Sequence, residues 1–267
     1  ASVTAKTDVK IDALKAEAGG AKIEATDGAL DMTTLNAKSL TAKAGTTLSA
    51  KTLDVKEHAE LTSGGAMEVT DANVGSVAAK AGTTLHVKKL TSIGEATLTS
   101  KDEATLDDVT AETLVAESTA GSVKAGTLTV TTGDAKVTAK KDVTIGTLKA
   151  EAGGATIEAI DGKLDVTTLN AKEHAALTSG GAMEVSEATV GSVAANAGST
   201  LHVKKLTSTG EATLTSKVEA TLDDVTAGTL AAESTAGSVN AGTLTAKTGN
   251  ASVTAKTDVK IDALKAE

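Results

Sequence analysis

Two near-literal repeats of different spacing run through the chain, and the mismatch between them constrains the fold more than any other feature. His58–Val143 recurs 116 residues later, at His174–Val259. Residues 17–38 recur 134 residues later, at 151–172. The difference is 18 residues, the stretch SLTAKAGTTLSAKTLDVK at 39–56, which is present in the first copy and missing from the second. A segment that can be present or absent without disturbing its flanks is a self-contained structural unit whose two ends lie close together. Repeats of this length are the mark of a solenoid. Residues 1–17 also recur unchanged at 251–267.

A shorter period lies inside the long one. In the first 17 residues, Val3 and Ala5 alternate with polar neighbours, then Val9 and Ile11, then Leu14 and Ala16. Alternation with period two in three short runs predicts three short strands, each with one buried face. The same columns continue down the chain. One runs Val9, Leu30, Leu48, Met67, Leu85, Ala104, Val123, Val143, Leu164, Met183, Leu201, Ala220, Val239, Val259. Another, two residues further on, runs from Ile11, Met32 and Ala50 to Leu222, Ala241 and Ile261. A third is read as Leu14, Leu35, Leu53, Val74, Leu90, Val109, Leu128, Leu148, Leu169, Val190, Leu206, Val225, Leu244, Leu264. The first-strand column carries Val3, Ile23, Leu61, Leu98, Val137, Ile157, Leu177, Leu214 and Val253, and alternation alone does not fix its register near residues 79, 116, 195 and 232.

These columns predict an all-β fold: a right-handed parallel β-helix (β-solenoid) with three short strands per turn, about 19 residues per turn and about 14 turns. One three-strand turn cannot bury its apolar face alone, so it stacks on the next about 4.8 Å away. The chain has no Phe, Tyr, Trp, Pro or Cys. Aliphatic side chains must therefore fill the interior, which suits a narrow slot. Residues 1–267 are expected to form a single repeat array, an excerpt of a longer shaft without caps. Corners are expected at Gly19–Gly20, Asp27–Gly28, Gly64–Gly65, Gly133–Asp134, Gly180–Gly181 and Gly249–Asn250, where glycine would supply positive φ.

No catalytic, cofactor-binding or metal-ligating residue is assigned, and the chain is not expected to be an enzyme. His58, His86, His174 and His202 are two positions seen twice, about six turns or ~29 Å apart, too far to share a metal. His86 and His202 lie between inward residues and should face solvent. Glu57, Glu60, Glu68, Asp102, Glu103, Asp107 and Asp108 read as solvated carboxylates. Adjacent Asp107–Asp108 and Asp223–Asp224 should point to opposite sides of a strand. The sequence matches no calcium nonapeptide, and its Gly-Gly-Ala clusters match no phosphate-loop motif. Asn250-Ala251-Ser252 fits a glycosylation triplet by chance. Outward Thr is abundant, yet Lys, Asp and Glu interrupt it in most turns, against an ice-binding array. The net charge is −9 and no Lys run exceeds a pair, which excludes a clustered basic face for nucleic acid. No apolar run approaches the ~18 residues of a membrane span, so no membrane insertion is expected.

The runs AKAGTTLSAKTLDVK, LTSGGAMEV, VGSVAAKAGTTLHVKKL and AGTLTAKTGNASV resemble the first repeat region of the filamentous haemagglutinins typified by those of Bordetella, in the two-partner-secretion exoprotein family. The resemblance extends over essentially the whole chain. It implies a secreted or cell-surface filament of an adhesin, exported through an outer-membrane transporter partner. Regions outside this fragment would bind the host cell surface. The alternative is that an outward face of the shaft itself binds host glycan or protein. A polysaccharide-active β-helix enzyme and an ice-binding module are the remaining readings.

Overall fold

The computed structural model describes all 267 residues. There is no helix, and 22 strands pair in parallel throughout. No helix is therefore long and apolar enough to cross a membrane. The coils form a β-solenoid of about 19 residues per turn. The chain divides into two compact units, Ala1–Thr131 and Thr132–Glu267, each made of repeated turns of this kind.

In the first unit, residue Val9 pairs with Leu30, Leu30 with Leu48, Leu48 with Met67, Met67 with Leu85, and Leu85 with Ala104. In the second, Val143 pairs with Leu164, Leu164 with Met183, Met183 with Leu201, Leu201 with Ala220, and Ala220 with Val239. The expected column is thus a hydrogen-bonded ladder. Each step satisfies backbone N–H and C=O groups up and down the stack. The column from Ile11 to Ala50 follows the same ladders.

The three runs of each turn differ in how they join. The second and third meet at a corner of one residue and count as one eight-residue strand, as in Leu85–Ser92 and Ala104–Ala111. Val87 pairs with Leu106 and Lys89 with Asp108, while Lys88 and Asp107 between them stay outside the ladder. In some turns the first run joins on as well. Leu30–Ala44 is one strand, with register shifts between Ala37 and Leu40.

That corner residue corrects the third column. Leu53 pairs with Ala72, not Val74, and Leu169 pairs with Ala188, not Val190. Val74 and Val190 belong one inward position later, stacked on Val55 and Ala171. Both substitutes are buried aliphatics two residues apart, so alternation does not separate them. The same corner corrects the paired aspartates. Asp107 and Asp108 are both exposed, as are Asp223 and Asp224, because the chain turns between them.

The unclear register of the first strand resolves to alanine. Ala79 lies between Leu61 and Leu98, and Ala116 follows Leu98. Ala195 lies between Leu177 and Leu214, and Ala232 follows Leu214. In the first unit, successive first strands carry one large aliphatic and one alanine, and the order swaps: Ala21/Ile23, Leu40/Ala42, Ala59/Leu61, Val77/Ala79, Ala96/Leu98, Leu114/Ala116. All are buried. Along this run a large side chain sits above and below a small one, so successive turns interlock at nearly constant volume.

The glycines act differently from expectation. No residue, glycine included, has positive φ. Gly45, Gly64 and Gly82 occupy one bend in three successive turns. A Cβ on any of them would lie under 3.0 Å from backbone of the turn beneath. They are required by the approach of stacked backbones, not by an unusual dihedral angle. Gly19–Gly20 lies at the expected corner, where the third run joins the first. The strand Val9–Ala25 runs through this corner, and its ladder shifts register there, between Ala16 and Gly20.

The 18-residue unit is one complete turn. Lys38 and Glu57, the residues that flank 39–56, form an ion pair at 3.2 Å. In the second unit, the corresponding Lys172 and Glu173 are neighbours in sequence. The chain leaves Lys38, circles once, and returns to a point directly beside it.

Candidate functional site

Several outward polar side chains make contacts between turns. His58 Nδ1 lies 2.8 Å from Ser76 Oγ, and its copy His174 lies 2.9 Å from Ser192 Oγ. His86 and His202 face outward as the alternation requires, with side chains 38% and 37% exposed. Their Nε2 atoms lie 3.1 and 3.3 Å from the carboxylates of Asp107 and Asp223. No three His, Asp or Glu side chains converge in an arrangement that could hold a metal ion.

The densest charge lies along the one-residue corner. Lys88 Nζ is 2.6 Å from Glu68 Oε1, and Lys204 Nζ is 2.6 Å from Glu184 Oε1. Lys205 Nζ is 2.9 Å from Glu187 Oε1. The Lys88 hydrogen bond holds the Glu68 carboxyl below its ordinary range, with a smaller opposing push from desolvation. Glu184 is lowered in the same way by Lys204. Lys204 and Lys205 are raised, chiefly by their hydrogen bonds to Glu184 and Glu187. Among the other carboxylates singled out from sequence, Glu57 pairs with Lys38, and Glu103 with Lys124 at 3.1 Å. Asp102 and Glu60 are exposed and do not join these pairs.

Concave places on the surface are open depressions between turns. One is lined by Lys149, Glu151, Asn170, Lys172 and Thr189, and another by Lys163, Asp165, Glu184, Thr200 and His202. Neither brings a nucleophile, a base and an orienting group together.

One regular outward feature escaped the sequence reading. Thr189, Thr207, Thr226 and Thr245 stack in four successive turns. The next outward column, two residues earlier, reads Glu187, Lys205, Asp224, Thr243. The threonines therefore form a single file and not a flat two-column array. Thr207, Thr226 and Thr245 each follow an inward residue of the third column, and only Thr189 needed the corrected pairing of Ala188 to join them.

Inward, six of the eight buried serines donate to nearby carbonyls. Ser63 reaches Gly65 O at 2.9 Å, Ser179 reaches Gly181 O at 3.0 Å, and Ser118 donates to Asp102 O. Comparison with known proteins found no matching family model, no matching curated protein and no matching solved structure.

Proposed function

We propose that this chain is a structural shaft of a secreted or surface-displayed bacterial adhesin, which holds binding regions away from the cell. The observation that carries the reading is the Lys38–Glu57 junction, where a whole turn lies between two residues whose counterparts are adjacent in the other unit. A solenoid turn contacts only its neighbours, so stability is close to a sum over turns and interfaces. Length is then adjustable in steps of about 4.8 Å without redesign of a core. The likeness of the repeats to two-partner-secretion exoproteins supports secretion through an outer-membrane transporter and a role in attachment to host cells. The mechanical part needs no cofactor and no reacting group.

The test pairs two measurements on the purified chain. Deletion of 39–56, or its duplication, should leave a cooperatively folded β protein whose melting midpoint moves by only a few degrees. The chain coated on beads should not adhere to epithelial cells under flow. Saturable adhesion by the chain itself would favour an outward face that binds host glycan or protein. Global unfolding of the deletion variant would remove the modular-shaft reading.

A further inference from the structure

Almost every turn presents the same aliphatic core, and this creates a hazard. A strand that skipped one turn during folding would still find an acceptable apolar partner. If the turn that begins at Leu85 looped out, Val69 would meet Leu106 in place of Val87, and Ala72 would meet Val109 in place of Leu90. Ridges of aliphatic residues accept such exchanges at small cost. Weak register specification is the usual route to slipped pairing.

The corner charges do discriminate. Three successive turns carry Glu68 and Asp71, then Lys88 and Lys89, then Asp107 and Asp108. Asp71 pairs in register with Lys89, and Lys89 with Asp108. The second unit repeats the pattern with Glu184 and Glu187, Lys204 and Lys205, then Asp223 and Asp224, again with Glu187, Lys205 and Asp224 in one ladder column. Lysines are thus sandwiched between carboxylates on both sides. These side chains are roughly half exposed, and exposed ion pairs contribute little stability. Their effect on alternatives is larger. Omission of the lysine turn would stack Asp71 against Asp108, with Glu68 and Asp107 beside them and no cation between.

We infer that these acidic–basic–acidic corners are register locks, one in each unit, which disfavour folded states that skip the lysine-bearing turn. The lock works by repulsion in the wrong state more than by attraction in the right one.

Asn73, Thr91 and Thr110 stack in consecutive turns, and the chain has no cysteine. Asn73→Cys with Thr110→Cys therefore places two thiols two turns apart, about 9.6 Å in the native register, beyond the ~7 Å between α-carbons that a disulfide can span. In the skipped register they become neighbours. The double-cysteine chain is unfolded in guanidinium, refolded with oxidised glutathione in about 10 mM salt, and the intramolecular disulfide is quantified after monomer isolation. Little should form. Adding Glu68→Gln, Asp71→Asn, Asp107→Asn and Asp108→Asn should raise the disulfide fraction roughly tenfold. Refolding the double-cysteine chain itself in about 1 M salt, where the screening length is ~3 Å, should raise it as well, which keeps the test decisive if the sixfold variant folds poorly. An equally low disulfide fraction with and without screening would overturn the proposal and assign register to the core alone.

Discussion

Residues 1–17 and 251–267 are identical in sequence and both form strands, yet they differ in what they bury. Val9 is 6% exposed and Val259 is 47% exposed. Val9 stacks on Leu30, whereas its copy stacks on the smaller Val239. Leu264 is 51% exposed, while Leu148, in the corresponding position of an interior turn, is fully buried. An identical strand can thus be core in one place and surface in another. In a solenoid the local pattern selects which side chains point inward, and the neighbouring turns decide how much that burial is worth.

The contrast is sharpest for a buried charge. Leu148→Asp should abolish cooperative folding of its unit, because an unpaired carboxylate enters an aliphatic slot at a cost of several kcal/mol. Leu264→Asp should leave circular dichroism and the melting midpoint nearly unchanged. Equal effects of the two would show that the exposed turn is as tightly covered as the interior one.

Glycine gives the next comparison. A Cβ at Gly64 would collide with the Gly45 carbonyl below, whereas one at Gly19 meets nothing within 4 Å. Gly64→Ala should cost about 2–3 kcal/mol in chemical denaturation, in the range of strained core substitutions. Gly19→Ala should be neutral or slightly stabilising.

Ala72 offers a gain. It lines a small enclosed apolar void with Leu53, Leu61, Val69, Val74, Val77, Ala79, Val87, Leu90 and Leu98. Other turns place Leu or Val at the equivalent position, such as Leu90 and Val109. Ala72→Val should stabilise by about 0.5–1 kcal/mol. A destabilised variant would mean that the void cannot accept two methyl groups without strain.

The smallest expected effect is electrostatic. Glu68 and Glu184 have lowered folded-state pKa values, so their stabilisation is complete above the ordinary value of 4.5 and is lost as pH falls through the folded value. Lys204 and Lys205 are raised, so theirs is complete below 10.5 and is lost as pH climbs above it. The part of stability due to these pairs should therefore be flat between about pH 5 and pH 10. Glu68→Gln should flatten the acid limb slightly, and about 1 M salt should mask the difference.

The solenoid, the length of its turn, the inward columns beginning at Val9 and Ile11, and the outward direction of His86 and His202 were all legible in the order of residues. Period-two alternation of aliphatic and polar residues carries that information directly, because a half-buried strand has no other pattern. It also carried the 18-residue unit, since the two long repeats differ by one turn. The register across the corner needed the folded chain: Ala72 in place of Val74, both Asp107 and Asp108 facing out, alanines at 79, 116, 195 and 232, and the place of Thr189 at the head of the threonine file. The physical reason is that a one-residue corner resets the phase of the alternation. Two aliphatic residues spaced by two are equivalent within a strand, and only the hydrogen-bond ladder to the next turn tells them apart.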